Sequence, residues 1–561
     1  GVVSANDKTI FIGQYLDIDL DGGFDPGTGT VIFNGVTQNI QPHGFTLDFH
    51  HMIFQNVGTK NILSDLNVTG NFSIISQNNF VDIESGVTVN IAGTLSQTGG
   101  ELRIFDNNIP SAGAYNLTGG EVEFLRDGTQ NIPTGIPFNN VEIRSLAGGN
   151  PVSANTTVAT LLGDITINGN LNLDDGAVEL DAAGFSITLG GNLYLESDET
   201  LTWNGGTLIH NGDYWGMDAD HNTTTRTFEN LILSGTGIKR VHSNIAINGN
   251  LTVKDGVELE QLTRTISNNG GDTFTLEANA ILDNRVIGNN LPTGFDTYVL
   301  HENSRTDMRA TGIQTIFTDG GTIEYGELRI YSEGVVTLDG NLIVQGDFDM
   351  NSNPTLNDAN FNMTMNGSTI DIQNHIPSAG TTITFARNGD QNIFNNDGTG
   401  NNLEFANVEF GGSGTKTLIP NASDERTDIT ETIVINSGAT VTTARGLDFS
   451  GTSWTNNGAF NLTVNSRPLL LTGGNLMMDP GTNYIAALTV SNTTGTTVTI
   501  QNNGLTLGTG DMIISADAEI DFGGLVHQIG SENVLIDTDG SWVLSGSTLD
   551  FNQAGNHFIP V

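Results

Sequence analysis

The sequence contains no cysteine among its 561 residues, so disulfides, thiolate metal sites and cysteine nucleophiles are excluded. Basic residues are also scarce, with 19 Lys and Arg against 63 Asp and Glu and a formal net charge of −44 at pH 7. Because such a surface repels phosphate groups, we exclude nucleic acid as a partner. The sequence also lacks any run of about 18 apolar residues, so we expect no direct insertion into a membrane.

Proline is scarce as well, but glycine is abundant, with 13 Pro against 71 Gly. This composition is typical of many short strands joined by tight turns. The chain also exceeds the roughly 250–300 residues at which a single hydrophobic core stops growing. We therefore expect either several domains or an elongated array of repeats.

One nine-residue pattern recurs, in which apolar and polar residues alternate on both sides of a central Gly-Asn pair. The five copies are LNVTGNFSI (66–74), ITINGNLNL (165–173), ITLGGNLYL (187–195), IAINGNLTV (245–253) and VTLDGNLIV (336–344). The alternation predicts two strands, each with one buried face, that meet at a corner. Gly and Asn tolerate left-handed backbone conformations, which we take as the reason for their place at the corner.

The second and third copies are 22 residues apart, a spacing that suits one coil of a parallel β-helix. Each coil would then bury its apolar face on the next coil. The residues predicted to stack are Ile165 on Ile187, Ile167 on Leu189, Leu171 on Leu193 and Leu173 on Leu195. Asn170 is predicted to stack on Asn192 in a structural ladder of side-chain amides. About 25 such coils would form an elongated rod of ~100–120 Å.

The predicted fold class is therefore all-β, a parallel β-helix or β-solenoid, with a series of antiparallel β-sandwiches as the alternative. Longer modules are also visible, because opening elements such as GGEVEFLRDGTQNI (119–132) and GTTITFARNGDQNI (380–393) recur and IPSAG occurs at 109–113 and 376–380. The predicted division is 1–27 lead-in strands, 28–118 module 1, 119–204 module 2, 205–318 module 3 with insertions, 319–379 module 4, 380–545 modules 5 and 6, and 546–561 the start of a further, truncated module.

The module combines a G-T-V-x-F-N-G-x-x-Q-x-I opening, an F-x-N-L-x-L-S-G-x-G-x-K-x-L strand and an I-x-I-N-G-N-L-x-V continuation. From about residue 28 onward it resembles the large repetitive cell-surface adhesins of Bacteroidota, which are exported by the type IX secretion system and include gliding adhesins. The resemblance implies a secreted protein at the cell surface. It also implies neighbouring repeats of a longer parent chain as partners, and surface polysaccharide as a candidate ligand.

Parallel β-helices also carry polysaccharide lyases and hydrolases, so an enzyme is the alternative to an adhesive segment. The pectin hydrolases of this fold use clustered Asp residues with a G-H-G segment and an R-x-K pair, and the sequence contains neither of these two motifs. We therefore expect no catalytic residues. A calcium-dependent carbohydrate-binding or polysaccharide-cleaving β-helix stays open, because a lyase can work with calcium-binding carboxylates and one Arg drawn from different coils.

Calcium is the one candidate ion, and no cofactor is expected to be required. In DIDLDGG, the residues Asp17, Asp19 and Asp21 alternate like the first ligands of an EF-hand loop, but the twelfth position is Thr28 rather than Glu. The alternative is a strand with three outward-facing Asp side chains. His50 and His51 are expected to point to opposite faces of a strand, which argues against a shared metal ion.

Two interruptions of the repeat are candidate carbohydrate-binding loops, because loops on rigid scaffolds commonly carry binding residues. Residues 212–226 place Tyr214 and Trp215 near Asp218, a combination that suits stacking on a sugar ring. Residues 283–312 include Arg305 and Arg309 in an otherwise base-poor chain, which could meet an acidic glycan or be paired internally. The favoured interpretation is an extracellular stalk or adhesin segment without catalysis.

Overall fold

The computed structural model describes residues 2–18, 23–42, 46–106, 108–146, 157–174, 178–195, 199–216, 225–395, 402–420, 425–443, 445–464, 466–530, 533–537 and 539–551. It divides into two compact units. The first comprises Gly1–Thr275 and Pro292–Thr297, and the second comprises Leu276–Leu291 and Tyr298–Val561.

Both units are β-solenoids, which confirms the predicted fold class. About 56% of the residues lie in strands, and the described residues make about 23 turns against the expected 25. Strand partners run parallel and come from successive coils, as where Ile165 pairs with Ile187 and Leu171 pairs with Leu193. The stacking predicted from the 22-residue spacing is therefore confirmed at these positions.

The strands are short, because each coil turns several times within about 20–25 residues. Up to residue 276 they are Val2–Ser4, Thr9–Ile12, Leu16–Ile18, Gly23–Asp25, Thr30–Phe33, Thr37–Pro42, Leu47–Phe49, His51–Phe54, Gly58–Ile62, Leu66–Val68, Phe72–Ile74, Asn79–Ile83, Val89–Ile104, Ser111–Leu125, Thr129–Ile132, Pro137–Phe138, Asn140–Arg144, Thr157–Leu161, Ile165–Ile167, Leu171–Asp174, Val178–Asp181, Ser186–Leu189, Leu193–Leu195, Thr200–Thr202, Thr207–His210, Tyr214–Gly216, Arg226–Phe228, Asn230–Leu233, Ile238–Val241, Ile245–Ile247, Leu251–Val253, Glu258–Gln261, Ile266–Asn268 and Thr273–Leu276.

The later strands are Ile281–Asn284, Gly288–Asn289, Thr297–Leu300, Arg305–Met308, Gln314–Ile316, Glu324–Tyr325, Glu327–Ile330, Val335–Leu338, Leu342–Val344, Phe348–Met350, Thr355–Asn357, Met363–Met365, Thr369–Asp371, His375–Ile376, Thr382–Phe385, Gln391–Asn395, Leu403–Phe410, Gly414–Pro420, Arg426–Ile435, Ala439–Thr443, Gly446–Phe449, Ser453–Asn456, Ala459–Leu462, Leu469–Leu471, Leu476–Asp479, Thr482–Ile485, Leu488–Val490, Val498–Ile500, Thr506–Leu507, Met512–Ile514, Glu519–Asp521, Val526–Ile529, Val534–Ile536, Ser541–Val543 and Thr548–Phe551. A short 3-10 turn covers Asp319–Gly321. Among the described residues, none of the helical segments could cross a bilayer.

The glycine of the nonamer corner is required for close stacking and not for a left-handed backbone. Gly169 and Gly191 have no positive φ, so the reason expected from the sequence is wrong. A Cβ on Gly169 would lie 2.1 Å from Asn140 Oδ1, and one on Gly191 would lie 2.5 Å from Asn170 Oδ1. Gly169 and Gly191 therefore leave room for an asparagine side chain of the preceding coil, whereas the corner glycines Gly70 and Gly340 face His51 and Thr318.

That asparagine side chain joins consecutive coils. Asn170 Oδ1 accepts a hydrogen bond of 2.9 Å from the backbone N–H of Asn192, and Asn140 Oδ1 accepts one of 2.8 Å from the N–H of Asn170. The contact between Asn170 and Asn192 thus runs from side chain to backbone and not between two amide groups. Asn341 makes the same bond to Asn362 in the second unit.

Inside the coils, a buried Gln or Lys satisfies the carbonyl groups of the turns. Lys60, which is directly stacked on Gln38, donates to Asn56 O at 3.1 Å and Gly58 O at 3.3 Å. Lys416, stacked on Gln391, donates to Gly389 O at 3.1 Å and Ser413 O at 3.2 Å, and also to Arg387 O. Both Lys side chains are fully buried. Long polar side chains therefore supply the donors that the turn backbone needs.

Candidate functional site

Four successive coils of the first unit carry charged side chains on the outer face of one sheet. The strands Asn79–Ile83, Val89–Ile104, Ser111–Leu125 and Asn140–Arg144 stack in parallel. Their register aligns an acidic residue or an arginine at the same position in each coil. We call this cluster the acidic ladder, and its members are Asp82, Glu101, Arg103, Glu121, Glu123, Glu142 and Arg144.

Glu123 is the centre of the acidic ladder. Its side chain is 1% exposed and forms ion pairs with Arg103 Nε at 3.0 Å and with Arg144 Nη1 at 3.1 Å. Arg103 also bonds to Glu101 at 3.1 Å, and its guanidinium lies 4.0 Å from the centre of the Phe80 ring. Two arginines thus hold four neighbouring strands together from the outside.

The carboxylates of the acidic ladder outnumber its arginines, five to two, so some of them hold protons. Burial, together with the hydrogen bond and the charge of Glu121, raises the pKa of Glu142 to about 8. Burial also raises the pKa of Glu121. Burial likewise raises the pKa of Asp82 to about 6, although the charge of Arg103 opposes this. At neutral pH Glu142 therefore keeps its proton and donates a hydrogen bond to the carboxylate of Glu121.

The second unit carries a comparable cluster on the strands Ile281–Asn284, Arg305–Met308 and Glu327–Ile330, which also stack in register. We call it the arginine ladder, and its members are Asp283, Arg285, Arg305, Asp307, Arg309, Glu327 and Arg329. Asp307 is 1% exposed, as Glu123 is, and lies 2.9 Å from Arg305 Nε and 3.0 Å from Arg309 Nη2. Asp283 pairs with Arg285 at 3.1 Å.

The arginine ladder has four arginines for three carboxylates, and an aromatic ring supports it. The guanidinium of Arg309 lies 4.4 Å from the centre of the Tyr331 ring. Although burial lowers the pKa of Arg309, its hydrogen bond with Asp307 and the charge of Asp283 raise it overall. Beside Arg329, an open groove of about 350 Å³ includes Asp349, Asp371 and Phe394 in its walls. This groove combines an aromatic ring with carboxylates and a guanidinium.

The two predicted binding loops contain regular strands. Arg305 and Arg309 belong to the arginine ladder and not to an extended loop, and each is paired with Asp307. The internally paired arrangement that the sequence left open is therefore the one observed. Tyr214 and Trp215 lie in the strand Tyr214–Gly216, which pairs with the strand Ile238–Val241. Their backbone therefore belongs to a sheet and not to a loop. Asp218 lies outside the described residues.

The calcium candidate lies only partly within the described residues. Asp17 is exposed in the strand Leu16–Ile18, next to the buried Ile18, which fits the alternative of an outward-facing Asp. Asp19 and Asp21 lie outside the described residues. Over the described part of the chain, no group of three His, Asp or Glu side chains has the geometry to hold a metal ion.

The expectation for the neighbouring histidines was wrong, because His50 lies at a bend before the strand. The rings of His50 and His51 are 4.2 Å apart. His51 Nδ1 accepts the backbone N–H of Asn71, and His50 Nδ1 contacts Thr69 Oγ1 at 2.9 Å. Both rings are therefore engaged at the corner between two coils.

Sequence reasoning missed both ladders, because their members come from different coils. One signal was available: the pentapeptide GELRI occurs at 100–104 and again at 326–330, once in each ladder. Its Glu and Arg alternate with buried Leu and Ile, which places both charges on the outer face. A strand in which Glu and Arg alternate with buried apolar residues therefore occurs in each of the two ladders.

No family model, curated protein or solved structure matches the chain.

Proposed function

We propose that this chain is an extracellular structural and adhesive segment of a large cell-surface protein, acting as a stalk or adhesin without catalysis. The observation that supports this most is that outer polar side chains bond from one coil to the next. Glu123 joins Arg103 to Arg144 across three coils in the first unit, and in the second Arg309 joins Asp307 of its own coil to Asp283 of the preceding coil. Side chains in such bonds resist the separation of coils, which is what a load-bearing stack requires.

Surface polysaccharide and the neighbouring repeats of a longer parent chain are the proposed partners. Arg305 and Arg309 and the groove at Phe394 offer cation, ring and carboxylate groups to a glycan. Calcium is proposed as an optional ion, because a chain of net charge −44 repels itself and divalent cations reduce that repulsion. Export by the type IX system to the cell surface follows from the resemblance of the module.

The test is to pass the purified chain over immobilised neutral and acidic polysaccharides, in calcium and in EDTA, and to score both retention and new chain ends. We expect retention without cleavage. Arg309→Gln should weaken retention on acidic polysaccharide, whereas the matched control Arg426→Gln, which removes an arginine paired with Asp448, should not. New chain ends in the wild type would contradict the proposal.

A polysaccharide-cleaving β-helix is the second candidate, and the pair Glu121–Glu142 supports it. A carboxylic acid that keeps its proton at neutral pH next to an ionised carboxylate can act as a general acid. The two carboxyl groups are within hydrogen-bonding distance of each other. The carboxyl groups of glycosidase pairs are farther apart, at roughly 5 Å or more. If cleavage occurs, Glu142→Gln should abolish it and Glu327→Gln in the other ladder should not.

A further inference from the structure

A cavity of about 490 Å³ lies in the first unit beside the start of a four-stranded sheet. The strand Thr129–Ile132 is the first of a four-stranded sheet and pairs only with the strand of the following coil, Thr157–Leu161. Preceding coils contribute the turn at 84–88 and the segment 108–111 to the cavity wall. The cavity thus lies where this sheet begins, and its volume is in the range of small-molecule sites.

The first copy of IPSAG, at 109–113, shapes one wall of this cavity. Tyr115 donates a hydrogen bond to Pro110 O at 2.9 Å and accepts one from the N–H of Ala112 at 3.2 Å. Both bonds hold the ring in the cavity wall, and the hydroxyl is already used. Tyr115 therefore offers the cavity a fixed aromatic surface, the element that recognises the apolar C–H groups of a sugar.

The polar groups of the cavity carry no net charge. Asp106 is its one carboxylate, and Arg126 neutralises it at 3.0 Å while the N–H of Gly86 donates to it at 2.9 Å. The other polar side chains in the wall are amides and hydroxyls, including Asn90 and Asn131. Amides both donate and accept hydrogen bonds, which matches the hydroxyl groups of a polyol and gives no preference for an ion.

The second copy of IPSAG, at 376–380, provides a contrast within the same chain. Ile376 lines a smaller cavity of about 290 Å³ together with Thr355, His375 and Glu404. His375 Nε2 lies 3.3 Å from Asp358 Oδ2, and its Nδ1 lies 3.0 Å from Glu404 O. The second cavity thus has the ionisable His375 and Glu404 beside its amides, Asn374 and Asn402, whereas the first has the aromatic ring of Tyr115.

We propose that the cavity at Tyr115, Asn90 and Asn131 binds a neutral sugar residue. The strongly acidic chain disfavours an anionic ligand, and the cavity presents no free charge to attract a cationic one. The aromatic wall and the amides provide the two contacts that a neutral sugar ring uses. This inference rests on the proposed adhesive function and names a ligand class for a site separate from the arginine ladder.

Saturation-transfer NMR of the full chain with the methyl glycosides of glucose, galactose, mannose and N-acetylglucosamine tests the proposal. At least one glycoside should receive saturation. Thr88→Trp, which fills the cavity from an exposed position, should reduce affinity at least tenfold. Asn131→Ala, which does not add bulk, should also reduce it. Thr355→Trp, the matched change at the second cavity, should leave affinity unchanged.

Three results would overturn the proposal: no transfer to any glycoside, binding unchanged in both Thr88→Trp and Asn131→Ala, or binding lost only in Thr355→Trp. The polysaccharide columns report separately on the adhesive function. Glycoside binding lost in Thr88→Trp without any retention on the columns would support the cavity and reject adhesion to those polysaccharides. Retention that Thr88→Trp leaves intact, with no glycoside binding, would reject the cavity alone.

Discussion

The pentapeptide GELRI occurs once in each unit, and its arginine has different neighbours in the two places. Arg103 lies among carboxylates of three coils and over the ring of Phe80. Arg329 bonds to Glu327 of its own strand at 2.6 Å and lies 3.4 Å from the hydroxyl of Tyr331. The same five residues thus form an ion-pair hub in one unit and a local pair in the other. In a solenoid, the coils above and below determine the electrostatics of a strand.

The balance of charge around the two ladders explains their different chemistry. Five carboxylates compete for two arginines in the acidic ladder, so Glu142 keeps a proton at neutral pH. In the arginine ladder, four arginines surround three carboxylates, and Asp307 is fully engaged. We therefore expect the first unit to tolerate the loss of a carboxylate and the second unit to depend on each one.

The largest expected effect comes from neutralising Asp307, the central carboxylate of the arginine ladder. Asp307→Asn should destabilise the second unit by about 3 kcal/mol, because it leaves Arg305 without its buried partner and leaves Arg309 only the pair with Asp283 at 3.5 Å. Glu123→Gln should destabilise the first unit by only about 1 kcal/mol, because other carboxylates can take over its arginines. Hydrogen exchange of peptides from each unit, followed by mass spectrometry, measures the local change.

Equal losses of stability in Asp307→Asn and Glu123→Gln would contradict the expected difference between the ladders. They would show that the surplus carboxylates of the first unit do not substitute for Glu123. Asp537→Asn serves as the control in the second unit, since it changes a carboxylate that belongs to neither ladder. Its effect on the exchange of residues 305–308 should be negligible.

The fold was predictable from the sequence because the spacing of the repeats determines which residues stack on one another. The spacing of 22 residues placed Ile165 on Ile187 and Leu173 on Leu195, since stacked coils repeat the same buried positions. The physical role of Gly169 was not predictable in the same way, because its close contact is with Asn140 of another coil. The ladders were missed for the same reason: Glu123 and Arg144 are 21 residues apart and meet only after the coils stack.

An intermediate effect should come from the buried lysines, which test whether the interiors of the two units are alike. Lys416→Met should destabilise the second unit by about 2 kcal/mol, because it leaves the carbonyls of Arg387, Gly389 and Ser413 without a donor. Lys60→Met should have a similar or slightly smaller effect in the first unit, where two carbonyls are affected. Hydrogen exchange of peptides from each unit, followed as the denaturant concentration is raised, measures the loss of stability in both variants.

Glutamine is the matched replacement at these positions. Gln391, stacked on Lys416, donates to Met365 O at 3.0 Å and Gly367 O at 2.9 Å, so an amide can satisfy turn carbonyls. Lys416→Gln should therefore retain most of the stability that Lys416→Met loses. A glutamine variant as unstable as the methionine variant would indicate that the charge of Lys416, and not its donors, is what the turn requires.

The last expected effect is a pH-dependent stabilisation that only the acidic ladder should show. The pKa of Glu142 is about 8 in the folded chain and near 4.5 when unfolded, so the folded state binds more protons between these values. Its contribution to the free energy of unfolding therefore decreases as pH rises from about 4.5 to 8. Because Gln mimics the protonated acid, Glu142→Gln should have little effect near pH 5 and should stabilise the first unit increasingly as the pH rises to 8.

Comparing Glu142→Gln with the wild type at each pH removes other titrations from the measurement. The main opposing one is His210, whose pKa burial lowers to about 4, so that acid destabilises the folded state between roughly pH 6.5 and 4. This contribution is present in both proteins and cancels in the difference. Glu327→Gln is the counterpart in the arginine ladder and should not stabilise the second unit at pH 8, since it removes a partner of Arg329. Stabilisation by both variants would mean that the two ladders do not differ in their balance of charge.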